Sequence, residues 1–492
     1  MVKSVVGEET QLKSAEDRLF QSSVPAEVGL VVGKLNPDSN RGFVYDLIPT
    51  PPTDGGGPAG SLGSEVGGRD DKKKRSKGGK PSAEPSLLID GDWVAEHARQ
   101  VSRMLLGGMN VVGIYIWASE ASFKATMPSI LAQALRLVAQ AAPWYDSEFD
   151  ERLLIHISYS PRRWACRNCS LASGSLQPCD FRMGKLLASL QAFRCMYNFE
   201  IRLPIVHVGP VDSNTFRNVL FKGITYHAKD LQSAKVLIDG NLVTEDLHSI
   251  SEGFHKVEFL LPFKKDMSAE GKACSSEEVS GLVVFSGSVC ASAYLGPREP
   301  ISQAIADLKG DIITSLRSRL DVISDEAEGE AALAANSNIE ASEDASSGKP
   351  IHQLIIHELR KPCCLSFPRR VLVPWFAGIF ICDYMQPSET FEDVKDRCKE
   401  MMSMEAPIEA SAIVEPETAA ATVTEKSFWD VTHGDIASLI DDSKNRRHLT
   451  EKAGSGKSKG SSLYFPIAIF ILLVAILVGW AITFSGRKKV AP

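Results

Sequence analysis

The chain has 492 residues, 44% hydrophobic and 23% charged, which is material for one large or two moderate globular domains plus considerable unstructured sequence. That excludes a small cross-linked module. Its net charge of -7 is mild for the length and no long basic face offsets it, so a nucleic-acid partner is excluded too.

In chain order, the opening MVKSVVGEETQLKSAEDRLF is cut by charges before any apolar run reaches signal-peptide length, and a cytosolic start is expected. Between Val28 and Ile48, VGLVVGKL and GFVYDLIP flank the turn-prone NPDSNRG and predict a hairpin. Thr50 to Pro85 is rich in Gly, Pro and Ser and carries DDKKKRSK at Asp70 to Lys77, the composition of a disordered surface insertion.

Asp92 is placed to cap the helix WVAEHARQVSRMLL, in which Val94, Ala98, Val101 and Leu105 recur at helical spacing until Gly107 and Gly108 end it. Met109 to Trp117 is a near-continuous apolar run, the mark of a strand buried on both faces. A helix over Pro128 to Ala142 buries Ile130, Leu131, Leu135 and Val138, and a strand follows at Leu153 to Ser160. Further strands are predicted at Phe199 to Val208, Lys235 to Ile238, Val257 to Leu261 and Gly281 to Tyr294. The helix Ile301 to Ile323 carries a stripe of Ile305, Leu308, Ile312, Leu316 and Leu320. A strand pair at Arg370 to Phe376 and Gly378 to Tyr384 precedes an amphipathic helix, Thr390 to Met402.

The pattern is α+β: a mixed sheet with packed helices. The organisation read from it is an α/β region over 1–160 with the 50–85 insertion, and a second α/β half over 161–324. A disordered linker follows at 325–349, then the strand pair and helix within 350–404, then a disordered tether at 405–462. In that tether Trp429 to Asp442 holds an apolar stripe that either folds on a partner or is inert.

Residues 463–484 carry no charge from Leu463 to Phe484 and, at 1.5 Å per residue, span roughly 30 Å, one membrane crossing. Ile471, Leu472 and Leu477 lie in the body of this run, while Tyr464 and Trp480 stand towards its ends, where aromatic rings favour the interface. The expectation is a helix in the lipid bilayer, inserted after synthesis, with 485–492 as a short lumenal tail.

Gly-rich phosphate loops, GxSxG, HExxH and EF-hand patterns are absent from the sequence. The ten cysteines follow no repeated spacing, as expected of reduced thiols without structural disulfides. Cys166-x-x-Cys169 with Cys179 and Cys195 is the nearest metal candidate, set against a reading as loop thiols. His352, His357, Cys363 and Cys364 offer a cysteine–histidine pair, set against ordinary surface or core roles. His97, His156 and His207 read as packing or hydrogen-bonding histidines. No catalytic, cofactor or metal residue is assigned.

The block Trp93-VAEHARQVSRMLLGGMNVVGIYIW is the specific one: Trp93, Glu96, His97, Gln100, Val101, Arg103, Met104, Gly107 and Gly108 form WxxEHxxQVSRMLxGG. With GLVVGKL, FSGSVCASAYLGPREPISQAIADLKGDI, RRVLVPWFAGIFICDYM and the terminal apolar run, it resembles the odorant response abnormal protein 4 family. The resemblance implies a tail-anchored protein of the endoplasmic reticulum that helps membrane receptors fold and leave, and that holds a ubiquitin-fold-modifier-specific cysteine protease at the membrane. The first elements also resemble the start of an MPN domain, whose active members bind zinc through His-x-His after the strand matching Val111 to Trp117. Here ASEASFK follows, which implies a pseudoenzyme adaptor. The alternative is a membrane-anchored hydrolase, either a metalloisopeptidase with displaced ligands or a cysteine hydrolase.

Overall fold

EVGLVVGKLN and RGFVYDLIP are rich in the β-branched and aromatic side chains that suit a pleated surface, and in the computed structural model they pair antiparallel as β2 and β3, a hairpin. The structure describes residues 2–36, 39–63, 85–144, 149–206, 216–243, 253–262, 279–296, 299–336, 364–376, 378–404 and 409–427. All lie in the first of two units, Met1–Phe428 and Trp429–Pro492.

The first half runs β1 (Ser4–Glu8), α1 (Glu9–Ser22), β2 (Glu27–Asn36), β3 (Arg41–Pro49), β4 (Gly60–Leu62), β5 (Leu87–Ile89), α2 (Gly91–Met104) and β6 (Asn110–Trp117). It continues with α3 (Glu120–Ala125), α4 (Pro128–Ala141), β7 (Glu151–Tyr159), β8 (Arg162–Ser170) and β9 (Leu176–Gly184). Seven strands close into a barrel in the order β1-β3-β2-β6-β7-β8-β9, sealed by parallel pairing of β1 with β9. One face gathers Val5, Val31, Val112, Tyr115 and Ile155 around Leu12 and Leu19 of α1. The other packs Leu30, Ile114, Ile116 and Leu154 on α2 and α4. The strand predicted to be buried on both faces, β6, is indeed covered on both.

The second half comprises β10 (Gln191–Val206), α5 (Phe216–Gln232), β11 (Lys235–Ile238), β12 (Asn241–Leu242), β13 (Phe254–Leu260), β14 (Val279–Leu295) and α6 (Ile301–Asn336). After these come β15 (Cys364–Ser366), β16 (Arg369–Phe376), β17 (Ile379–Met385), α7 (Phe391–Met402) and β18 (Thr422–Ser427). Its sheet has the order β12-β11-β13-β10-β14-β18-β15. Phe193, Cys195, Tyr197, Phe199 and Ile201 alternate along β10 and face Leu308, Ile312 and Leu316 of α6. The hairpin β16–β17 and α7 fold back on the first half, setting Val371, Ile381, Val394 and Met402 against Val94, Ala98 and Val101 of α2.

Several boundaries differ from the sequence reading. The division after residue 160 falls between β7 and β8, which pair antiparallel over nine positions, so the barrel runs on to Gly184. Helix α6 passes Ile323 and continues to Asn336 inside the expected 325–349 linker, because the Ala and Glu that mimic a disordered composition are also good helix formers. Part of the expected 405–462 tether is built into the core: β18 lies between β14 and β15, with Ala421 and Val423 buried. Part of the expected 50–85 insertion, Gly60–Leu62, pairs with β5. Among the described residues no helix is long and apolar enough to cross a membrane. The run 463–484 with Leu463, Tyr464, Ile471, Leu472, Leu477, Trp480 and Phe484 lies outside them, as do 337–363 and Trp429 to Asp442.

Candidate functional site

The signature block forms α2 and the turn after it. The cap is Asp90 rather than Asp92: its carboxylate accepts the backbone N–H of Trp93 at 3.1 Å, which leaves Asp92 in the first turn where its charge suits the helix dipole. Trp93 Nε1 donates to Pro51 O at 2.9 Å and pins the chain entering the 50–85 segment. Val101 and Met104 fill the core beside β17 and α7.

His97 is buried, and its Nε2 donates to Met401 O at 2.8 Å, tying α2 to the end of α7. Burial pushes its imidazole down to about 4, so it is neutral at physiological pH. On an adjoining face Glu96 pairs with Arg99 and accepts from Gln100, while Arg99 and Arg103 both reach Asp325 of α6 at 2.9 Å. The signature helix is a joint between elements far apart in sequence.

Gly107 and Gly108 are required by close approach. A Cβ on Gly107 would stand 2.1 Å from Ser292 O, and Gly108 has φ +86 with its Cβ position 2.4 Å from Asp307 Oδ2. Leu105 to Val111 thereby line a cleft of about 750 Å³, closed elsewhere by Trp144, Phe149, Gln303 and Lys309. On its wall Lys34 Nζ sits 2.6 Å from Asp307 and 3.4 Å from Glu299. Burial alone would lower Lys34, but the two carboxylates more than reverse it and keep the ammonium charged. A smaller polar cavity of about 250 Å³ lies where Gln100, Arg103 and Met104 meet Asp383, Glu389 and Arg397.

After β6 the chain enters α3, capped by Ser119, whose hydroxyl accepts from Ser122 N. His156 of β7 stands directly across from Ile116 of β6, beside this turn. Its Nε2 donates to Ala118 O at 3.2 Å, its Nδ1 lies 3.7 Å from Glu120 Oε2, and its ring stacks on Phe123 at 3.9 Å. Burial pushes it to about 4. One imidazole and one carboxylate fall short of the three protein ligands of a catalytic zinc site, and no group of three or more His, Cys, Asp or Glu fit for a metal occurs among the described residues.

The thiols read as loop residues are on strands. Cys166 and Cys169 stand three apart on β8 and therefore face opposite sides of the sheet, Cys166 in one core and Cys169 in the other, which rules out chelation by that pair. Cys179 on β9 is paired across from Cys166, and Cys195 is on β10, buried against α5 and α6. All four are free thiols. His207, His352, His357 and Cys363 lie outside the described residues, and Cys364 opens β15.

Sequence reasoning missed a buried network. Arg370 on β16 makes two bonds to Asp311 of α6, at 2.7 and 2.8 Å, and Arg319 of α6 meets Glu417 at 2.5 Å. Glu417 also accepts Cys290 N and Arg370 N. The available signal was charge inside apolar runs, Arg370 against VLV and Arg319 beside Leu316 and Leu320.

These features define an α+β protein whose signature helix fastens a closed barrel to a second sheet and to its returning hairpin. A sequence profile of the odorant response abnormal 4-like family matches residues 29–413, and the chain belongs to that family. It is 23% identical over 431 residues to the odr-4 homolog of Mus musculus, covering 83% of this chain and 85% of that one. The Homo sapiens homolog is 25% identical over 349 residues, 66% and 72%. That of Dictyostelium discoideum is 23% identical over 410 residues, 80% and 79%. Among solved structures, the crystal structure of UfSP from C. elegans aligns with a TM-score of 0.38 at 7% identity, over 83% of this chain and 58% of that one.

Proposed function

We propose that this chain is a non-catalytic adaptor of the endoplasmic reticulum membrane, anchored by a helix over Leu463 to Phe484, whose folded part recruits a ubiquitin-fold-modifier-specific cysteine protease and assists membrane receptors in folding and trafficking. The uncharged run of 463–484 carries the reading, because a segment of that length and apolarity matches a bilayer core. Family membership supports the adaptor role through the resemblance already drawn. The stretch ASEASFK after β6, which lacks the His-x-His pair of active MPN members, supports a pseudoenzyme reading of an MPN-like start.

Proximity labelling of the intact chain and of a form ending at Ser462 tests it. Both recover the protease, and only the intact chain does so at the endoplasmic reticulum. Absence of the protease from both removes the adaptor reading, and stoichiometric zinc in the purified protein removes the pseudoenzyme reading.

A further inference from the structure

Cys166 and Cys179 sit directly opposite one another in the β8–β9 ladder, in register with Arg167 against Pro178 and Cys169 against Leu176. Directly opposed residues in antiparallel strands have Cα atoms about 4.5–5.5 Å apart. A disulfide spans Cα separations of about 4.4–6.8 Å. Standing opposite in the ladder, the two side chains share one face, and Cys179 Sγ also lies 3.7 Å from Val2 O. Cys166 is buried in the barrel core, whereas Cys179 is half-buried on the strand that closes the barrel against β1.

We propose that Cys166 and Cys179 are an oxidative modification site, joined by hydrogen peroxide into a disulfide that staples β8 to the closing strand β9. Cys179 attacks as thiolate. Its sulfur bonds one peroxide oxygen, the O–O bond breaks, and the departing hydroxide takes a proton to leave as water, giving a sulfenic acid at Cys179. Cys166 then loses its proton and attacks that sulfur; the S–S bond forms and the sulfenic hydroxyl departs as a second water. Two electrons pass from the two thiols to the peroxide, so peroxide is the only co-reactant.

The roles follow from surroundings. Cys179 is half-buried and Cys166 lies in the barrel core, so a peroxide meets Cys179 first, which makes it the attacking group and Cys166 the resolving one; the neighbouring Cys166 thiol lowers Cys179, and Cys179 together with burial raises Cys166. Among the described residues no other thiol stands opposite a second cysteine in a strand ladder. Burial pushes Cys195 and Cys398 up to about 12 and Cys290 and Cys382 up to about 11.

The test treats the purified full-length chain with hydrogen peroxide, blocks remaining thiols with an alkylating agent and maps peptides. The expected result is one linked peptide pair containing Cys166 and Cys179, two hydrogen masses lighter than the reduced pair and restored by a dithiol. In Cys166→Ser the same treatment leaves Cys179 as sulfenic or sulfinic acid with no link. Equal alkylation of both thiols before and after peroxide overturns the proposal, as does accumulation of Cys179 sulfinic acid in the unmodified chain while Cys166 stays free.

Discussion

Glu417 accepts a 2.5 Å hydrogen bond from Arg319 at a point where each side chain is 0% exposed. The same carboxylate receives the backbone N–H groups of Cys290 and Arg370, so one side chain ties β14, α6 and β16 to the segment leading into β18. Removing one partner of such a pair strands the other charge in a medium that cannot solvate it.

Glu417→Ala is therefore expected to cost about 3–5 kcal/mol of stability. Glu417→Gln keeps an acceptor but not the charge and should fall between it and the native chain. Urea unfolding of the three proteins reads the order; an Ala variant as stable as the native chain would contradict the role given to the pair.

A fragment ending at Met402 lacks Glu417 and β18 and bares Val283 and Phe285, which β18 pairs against. It should lose the sharp unfolding transition that a fragment ending at Ser427 keeps. Amide exchange along β14 distinguishes them, with fast exchange over Gly281 to Ser286 expected only in the shorter one.

His97 and His156 are held neutral by burial, each at about 4 against an ordinary value near 6.5. The unfolded chain takes up protons that the fold refuses as pH drops from 6.5 to 4. Stability from each is complete above 6.5, declines through that window and stays lost below it. About 2 kcal/mol per residue is gone by about pH 5. His97→Gln, which retains a donor for Met401 O, should shrink the stability difference between about pH 7.5 and 5 by roughly that amount; an unchanged difference would mean His97 is already protonated in the fold.

Gly107→Ala drives a methyl into Ser292 O, a backbone atom that cannot swing aside. A loss of about 3 kcal/mol is expected, at the upper end for overpacking. Gly63→Ala, whose Cβ meets nothing closer than 3.4 Å, serves as control. Thermal midpoints that move equally in both would refute the close-approach argument.

Leu472→Lys with Leu473→Lys places two charges in the middle of the proposed membrane helix, at a cost of about 2.5–3.5 kcal/mol each. The doubly substituted protein should leave the membrane pellet under alkaline carbonate extraction. Retention in the pellet would show that another segment holds the protein there.

The elements most legible in the sequence were those whose partners are local or whose pattern is strong. The β2–β3 hairpin follows from two apolar runs around a turn, α2 from a four-position stripe, and β6 from its unbroken apolarity. His97 was readable as a packing residue, although its partner Met401 lies 304 residues away and nothing local names it. Strand β18 was illegible because AAATVTEKS has only Thr422, Val423 and Thr424 to suggest extension; the pairing exists because β14 and β15 leave a slot. Strands β8 and β9 carry Arg, Cys, Asn, Gln and Asp without alternation, and hydrogen bonding to β7 and β1 settles what side-chain pattern does not. In α1, Leu12, Ala15 and Leu19 did repeat at helical spacing, a stripe overlooked among the charges around it.

Insertion of β18 beside β14 also sets a schedule for synthesis. Cys290 meets Glu417 from 127 positions away in the chain, so β14 emerges from the ribosome long before the strand that will cover its flank. For that interval the newborn chain presents an unpaired row of backbone donors and acceptors, bordered by Val283 and Phe285, to whatever extended peptide is nearby. A nascent chain of this protein is thus most exposed to wrong pairing, and most in need of a chaperone, while residues 296 to 421 are being made.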